Sequence, residues 1–270
     1  MGANTLRFWG TRGGIASPGP YTHRYGGNTS CIELRCGPHL LILDAGTGLR
    51  AMGIGCGSVD ADLLLTHTHL DHIQGLGFFE PLNDPGTHLR IHGGHLPEAE
   101  LRAAITCSLS PPLMPAILPL MRADIRIATL PIGQPTALHP GLLVTAGQLR
   151  HPGNAVGYRI EYAGKSVAYV TDTEHLPGKR DAAVLGLARG ADVFIYDSNY
   201  TDEEFPQRVG WGHSTWEEAV RLADAAGVRQ LVLFHHDPTR TDDQLDAIVS
   251  SAVAARPGTI AAAEGLVVTV

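Results

Sequence analysis

Thr66-His67-Thr68-His69-Leu70-Asp71-His72 places three imidazoles and one carboxylate within six residues, 67–72. The apolar run before it, Ala61-Asp62-Leu63-Leu64-Leu65, reads as a buried strand that hands the motif to a loop. Imidazole and carboxylate donors crowded at a strand end suit a borderline cation such as zinc. A polar loop that happens to be rich in histidine is the plain alternative. The H-x-H-x-D-H spacing argues against it, because it presents two donor sets on neighbouring faces of one turn.

Upstream of the motif, a strand over 5–9 runs into a loop rich in Gly and Pro, Gly10-Thr11-Arg12-Gly13-Gly14 and Ser17-Pro18-Gly19-Pro20. Strands over 29–35 and 39–43 form a hairpin about Gly37-Pro38, and a brief helix follows at 49–54. Downstream, a short helix is expected at 75–81, a strand at 89–93, and a helix at 97–107 with Pro97 in its first turn. Pro111, Pro112, Pro115 and Pro119 exclude a regular helix after it. That segment, 108–120, reads as a lid or rim, or else as a surface connector.

The second half has strands at 141–150, 155–162 and 165–171, the last two joined at Ala163-Gly164. A helix over 181–188 precedes a buried strand at 192–196. Ser214 or Thr215 caps a helix that Gly227 stops, with Glu217 or Glu218 completing a capping box. A strand at 230–234, a helix at 242–255 and an edge strand at 266–270 close the chain. Hairpins combined with strand–helix units predict an α/β (α+β) fold: a four-layer αββα sandwich of two mixed sheets with helices outside, one domain over 1–270.

At 270 residues, with 44% hydrophobic and 17% charged side chains, the chain can bury a large core. No apolar run reaches the ~18 residues a membrane span needs. The first seven residues carry no basic segment followed by an apolar one, so a cytoplasmic location is expected. Cys31, Cys36, Cys56 and Cys107 form no C-x-x-C pair and read as buried thiols. The net charge of −7 argues against extended nucleic acid as a partner.

Other ligand-type residues also fall at strand ends: His151, Asp172, Asp197, and His235 or His236. Strand ends on one edge of a sheet open onto a shared crevice. Arg12 and Arg24 could meet a phosphate or a carboxylate there, or be surface charges. Gly10 to Gly14 is not a P-loop, lacking the G-x-x-x-x-G-K-S/T pattern. Glu174-His175 lines the pocket or belongs to a solvent loop. Asp44 and Asp197 are candidates to accept from ring nitrogens of ligating histidines. His23, His39, His88, His92, His95 and His139 lack partner spacing and read as surface or packing residues.

Taken together, these residues resemble the metallo-β-lactamase-fold hydrolases. The resemblance rests on His67-Thr68-His69-Leu70-Asp71-His72, His151, Thr171-Asp172-Thr173 and His235, and on the strand ending in Leu43-Asp44-Ala45-Gly46-Thr47-Gly48. It runs through nearly the whole chain. Three further segments are similar to the branch of small phosphodiesterases related to the tRNA 3′-end nucleases. Gly212-His213-Ser214-Thr215 opens a helix as that branch's catalytic histidine motif does. Gly157-Tyr158-Arg159-Ile160 follows the third metal histidine, and Leu231-Val232-Leu233-Phe234-His235 resembles the last metal strand.

The resemblance implies two divalent ions, zinc first, with manganese or iron also suited to these donors. One would take His67, His69 and His151, the other Asp71, His72 and His235, with Asp172 between them. It selects His235 over His236 and leaves His236 at the rim. Asp71 and His213 would be catalytic: a hydroxide shared by the ions attacks phosphorus, and His213 stabilises the leaving alkoxide. The long arm of the tRNA nucleases is missing, so the expected substrate is a small phosphodiester such as a cyclic nucleotide. A thioester or lactam hydrolase of the same fold is the first alternative, and a weakly active metal-binding accessory protein the second. A second subunit of a homodimer could complete the lid.

Overall fold

Alternation along the strands sorts apolar side chains onto two faces, and the fold follows from covering both. The computed structural model describes residues 4–115 and 120–270. The expected lid at 108–120 therefore lies partly outside the described residues. Of its described part, Ser108 ends a helix and 109–115 is a run of turns and bends, consistent with its prolines.

The first sheet has the order β14 (Val267–Thr269), β1 (Thr5–Gly10), β2 (Cys31–Cys36), β3 (His39–Leu43), β4 (Asp60–Leu64), β5 (His88–Gly93) and β6 (Asp124–Thr129). The second runs β13 (Ile260–Ala261), β12 (Gln230–Phe234), β11 (Val193–Asp197), β10 (Lys165–Val170), β9 (Ala155–Tyr162), β8 (Leu142–Leu149) and β7 (Pro135–His139). Both are mixed: β3 to β6 pair in parallel, as do β10 to β13, while the remaining pairs are antiparallel.

Three apolar clusters define the layers. Phe8, Ile32, Leu43 and Leu64 of the first sheet meet Val144, Tyr158, Ile195 and Phe234 of the second, so the sheets pack face to face. Behind the first sheet, Ile42, Leu63 and Ile91 are covered by α1 (Gly48–Gly53) and α3 (Glu98–Ser108) through Leu49, Leu101 and Ile105. Behind the second, Phe194, Tyr196, Leu231 and Leu233 lie under α4 (Ala182–Ala188), α5 (Trp216–Ala226) and α6 (Asp242–Ala255). This is the αββα sandwich that the sequence predicts. Among the described residues no helix is long and apolar enough to cross a membrane.

Several local expectations change. The helix expected at 75–81 is two 3-10 turns, Leu76–Phe78 and Glu80–Asn83. The strands β6 and β7 were not foreseen. Both are edge strands with mostly half-buried or exposed residues, and β7 begins at a proline. At α5, Thr215 accepts from the Glu218 backbone N–H, but the Glu218 carboxylate pairs with Arg221 and leaves the box half formed. The complete capping box is at α6, between Thr241 and Gln244. Of the thiols, Cys31 and Cys36 are buried, whereas Cys56 and Cys107 are exposed.

Candidate metal centre

Because β3, β4, β8, β10, β11 and β12 all end at the same edge, each delivers one piece of a single crevice. The sequence after β4 turns once as a short helix, α2 (Leu70–Ile73), which puts Asp71 and His72 on the inner side while Leu70 stays exposed. His151 follows β8, Asp172 follows β10, Asp197 ends β11 and His235 follows β12.

Four overlapping donor groups form there among the described residues, two of them through His213: His151, Asp172 and His213, and Asp197, His213 and His235. In the other two, ring nitrogens of His67, His69 and His151 lie within 4.8 Å of one another, as do donor atoms of Asp71, His72, Asp172 and His235. Asp172 faces both of the latter groups with different oxygens. Its Oδ1 is 3.9 Å from Nε2 of His67 and 3.9 Å from Nε2 of His151. Its Oδ2 is 3.2 Å from Nε2 of His72 and 3.3 Å from Nε2 of His235. Asp71 Oδ2 is 3.2 Å and 3.5 Å from the same two nitrogens.

The donors fit divalent cations. Nε2 of His67, His72 and His235 is buried without a hydrogen-bond partner, a costly state for three neighbouring imidazoles unless a cation satisfies them. The carboxylates of Asp44, Asp71 and Asp172 are buried, and no Lys or Arg among the described residues forms an ion pair with them. Burial opposes charge on His72, yet Asp71, Asp172 and Asp44 outweigh it and push its pKa well above the usual imidazole value. Burial opposes charge on Asp172 too, but His235 and His72 hold it well below the carboxylate range. The crevice therefore calls for positive charge at its centre. His67, His69 and His151 would hold one ion and Asp71, His72 and His235 a second, with Asp172 shared. Burial, reinforced by His72, holds His67 well below its ordinary pKa, which keeps a ligating nitrogen free.

The supporting contacts sharpen the sequence reading. Asp44 accepts from His72 Nδ1–H at 2.8 Å, from the Thr66 hydroxyl and amide, and from the Tyr169 hydroxyl at 2.8 Å, which fixes the His72 tautomer. Asp197 serves a different histidine: its Oδ2 accepts from His213 Nδ1–H at 2.9 Å. Burial works against a charged His213, but Asp197 prevails and its pKa rises to about 9. The Gly212 carbonyl accepts from His151 Nδ1–H at 2.8 Å.

Other candidates move away from the site. Arg12 is fully buried and donates to the carbonyls of Gly26, Asp237 and Arg240, with Asp242 3.7 Å away, so it braces the loop rather than meeting a substrate anion. Arg24 pairs with Asp243 and Asp246. His236 is buried and turned away from the crevice, with Nε2 at 2.9 Å from the Ala262 carbonyl, past the left-handed backbone of His235 that ends β12. Glu174 and His175 are neither pocket lining nor solvent loop. Glu174 accepts from the amides of Gly210 and Gly212, and His175 bonds the Ser214 hydroxyl and stacks on Phe205. His92 and His139, expected as surface or packing residues, both contact buried Asp62.

Residues the sequence reading missed act through backbone and amide groups. The Gly14 N–H donates to Asp71 Oδ2 at 2.7 Å, and Asn199 Nδ2–H donates to the His235 carbonyl. Asp44, Asp172 and His235 all adopt left-handed backbone, with φ of 58°, 56° and 60°. Side chains rarely sit there, and such strain gathers at functional sites.

A crevice at the strand ends of an αββα sandwich, lined by a histidine–aspartate cluster that can hold divalent metal, is that of a metal-dependent hydrolase. The Beta-lactamase superfamily domain matches residues 41–236, and the chain belongs to that family. It is 29% identical to a Ribonuclease Z of Mycobacterium sp. (strain KMS) over 83% of this chain and 82% of that protein. In structure it is similar to the metallo-beta-lactamase fold protein YhfI from Bacillus subtilis, with a TM-score of 0.75, 19% identity and 99% of each chain covered. A diphosphatase from the PhnP family matches with a TM-score of 0.72 and 18% identity, covering 99% of this chain and 98% of that one.

Proposed function

We propose that the protein is a phosphodiesterase that works with two divalent ions, zinc first, on small phosphodiesters such as cyclic nucleotides. The observation that carries this reading is the divided carboxylate of Asp172, one oxygen toward His67 and His151 and the other toward His72 and His235. A paired site of this kind suits in-line displacement at phosphorus. When bound, the ions would supply Lewis acidity to the phosphoryl oxygens and lower the pKa of the attacking water.

The chain's own residues do the rest. Asp71 holds its carboxylate ionised between His72 and His235, with Gly14 fixing its orientation. His213, with Nδ1–H on Asp197, keeps Nε2 as the atom that can give a proton to the leaving oxygen. Similarity to a Ribonuclease Z and to a PhnP-family diphosphatase supports phosphoryl chemistry over thioester or lactam cleavage.

The test pairs elemental metal analysis with turnover of bis(p-nitrophenyl) phosphate, cyclic nucleotides, a β-lactam, a glutathione thioester and a precursor tRNA. Two ions and turnover of the small phosphodiesters are expected. Lactam, thioester or tRNA turnover alone would sink the reading. In His213→Ala, kcat should fall roughly 100-fold or more while metal content stays at the wild-type level. Loss of metal in that variant would make His213 a ligand instead.

A further inference from the structure

One aromatic side chain near the crevice is exposed although its backbone is tightly held. Trp211 is 59% exposed and sits between Gly210 and Gly212, both in left-handed backbone with φ of 89° and 85°. The Glu174 carboxylate, itself buried, accepts from the amides on both sides of it, Gly210 at 2.6 Å and Gly212 at 3.0 Å. The Trp211 amide donates to the Arg208 carbonyl at 3.1 Å. A loop clamped this firmly presents the indole in one place instead of letting it drift.

That place is beside the reacting centre. Gly212 holds His151 through its carbonyl, and His213 is the next residue. The Tyr200 ring meets the His213 ring edge-on at 6.0 Å. The Arg208 guanidinium then lies over Tyr200 at 5.8 Å and over Trp211 at 5.1 Å. A strip of π faces and one cation thus leads outward from His213 to solvent. Arg208 forms no ion pair among the described residues, so the rings alone hold it.

We propose that Trp211, steadied by Arg208, is a stacking subsite for the nucleobase of a nucleoside phosphodiester; this rests on the phosphodiesterase reading above. An exposed indole beside a guanidinium, both able to lie against a π face, is the arrangement on which a planar heterocycle stacks. Stacking tolerates any base, so the subsite favours nucleosides over alkyl groups without choosing strongly among bases.

The experiment compares two esters on the metal-loaded, full-length protein: thymidine 5′-(p-nitrophenyl phosphate) and methyl p-nitrophenyl phosphate. Both release the same chromophore by the same bond cleavage, and only one carries a base. The wild type should prefer the thymidine ester. In Trp211→Ala the ratio of kcat/KM between the two should fall roughly tenfold, mainly through KM, and Trp211→Phe should recover most of it. An unchanged ratio, with both esters still hydrolysed, overturns this subsite and leaves the phosphodiesterase reading intact. Failure of the wild type to hydrolyse either ester overturns that reading and the subsite with it.

Discussion

At the scale of single residues, the crevice is built by close approach as much as by donor chemistry. Gly13 shows this best. A Cβ there would overlap the imidazole of His235, at its Cε1 and Nδ1. Gly13 also donates its amide to the His236 carbonyl, and Gly14 donates to Asp71. The loop is therefore pressed against the donors it orients. Gly13→Ala forces His235 aside by a few tenths of an ångström or more. Because small displacements of a positioned group can cost about 100-fold in rate, the variant should lose 10- to 100-fold in kcat and bind its second ion more weakly. Isothermal titration with zinc together with steady-state kinetics checks this, and wild-type affinity and rate in Gly13→Ala would refute it. The sequence shows glycines here but not the ring they must clear, since His235 is more than two hundred residues away.

At the scale of elements, a buried polar knot joins the two sheets away from the site. Asp62 lies in β4, on the side that faces the second sheet, between Ala61 and Leu63 of the opposite face. It accepts two hydrogen bonds from Arg90 at 2.9 Å and 3.0 Å and one from His92 at 2.8 Å, both on β5. From β7 in the other sheet, His139 reaches the same carboxylate at 2.6 Å and stacks on His39. Burial would raise the Asp62 pKa, but His92, Arg90 and His139 outweigh it and hold it well below its ordinary 3.8. A depressed folded-state value stabilises the fold fully above about pH 4, and that contribution is lost as the pH falls through the lowered value. Asp62→Asn leaves the partly exposed Arg90 guanidinium without its anion and should cost about 1–2 kcal/mol at pH 7, with a shallower loss of stability below about pH 4. Urea melts between pH 2.5 and 7 measure both, and an acid limb as steep as the wild type's would refute the assignment. This knot was not legible from sequence because its members sit on three strands, and β7 itself went unread. The ligand motif at 67–72 was legible because its spacing is local. Strand ends such as Asp172 and His235 were legible because the apolar runs before them are short and bounded. The edge strands β6 and β7 carry neither signal, because both lack a fully buried face.

For the molecule as a whole, the donors come from both sheets. His67, His69, Asp71 and His72 follow β4 of the first, whereas His151, Asp172 and His235 follow β8, β10 and β12 of the second. Bound ions would thus clamp the open end of the sandwich, while the Asp62 knot ties the sheets elsewhere. An aromatic contact beneath the crevice runs the same way, Phe8 of β1 packing on Phe234 of β12 at 6.1 Å, and within the second sheet Tyr169 of β10 meets Phe234 edge-on at 5.7 Å. A cation that binds only the folded chain adds RT ln(1 + [L]/Kd), about 3 kcal/mol at a hundredfold excess over Kd. For a chain of this size that corresponds to a Tm higher by roughly 5–10 °C. Chelation by EDTA should therefore lower Tm by that amount, and added zinc should restore it. Asp172→Ala removes the carboxylate that faces both histidine sets, so its Tm should respond little to either treatment. Equal zinc responses in the wild type and Asp172→Ala would show that zinc stabilises the protein from somewhere other than this crevice. The combination separates site from scaffold: Asp62→Asn lowers Tm with and without zinc by similar amounts, because the knot and the crevice share no residue and act as independent ties.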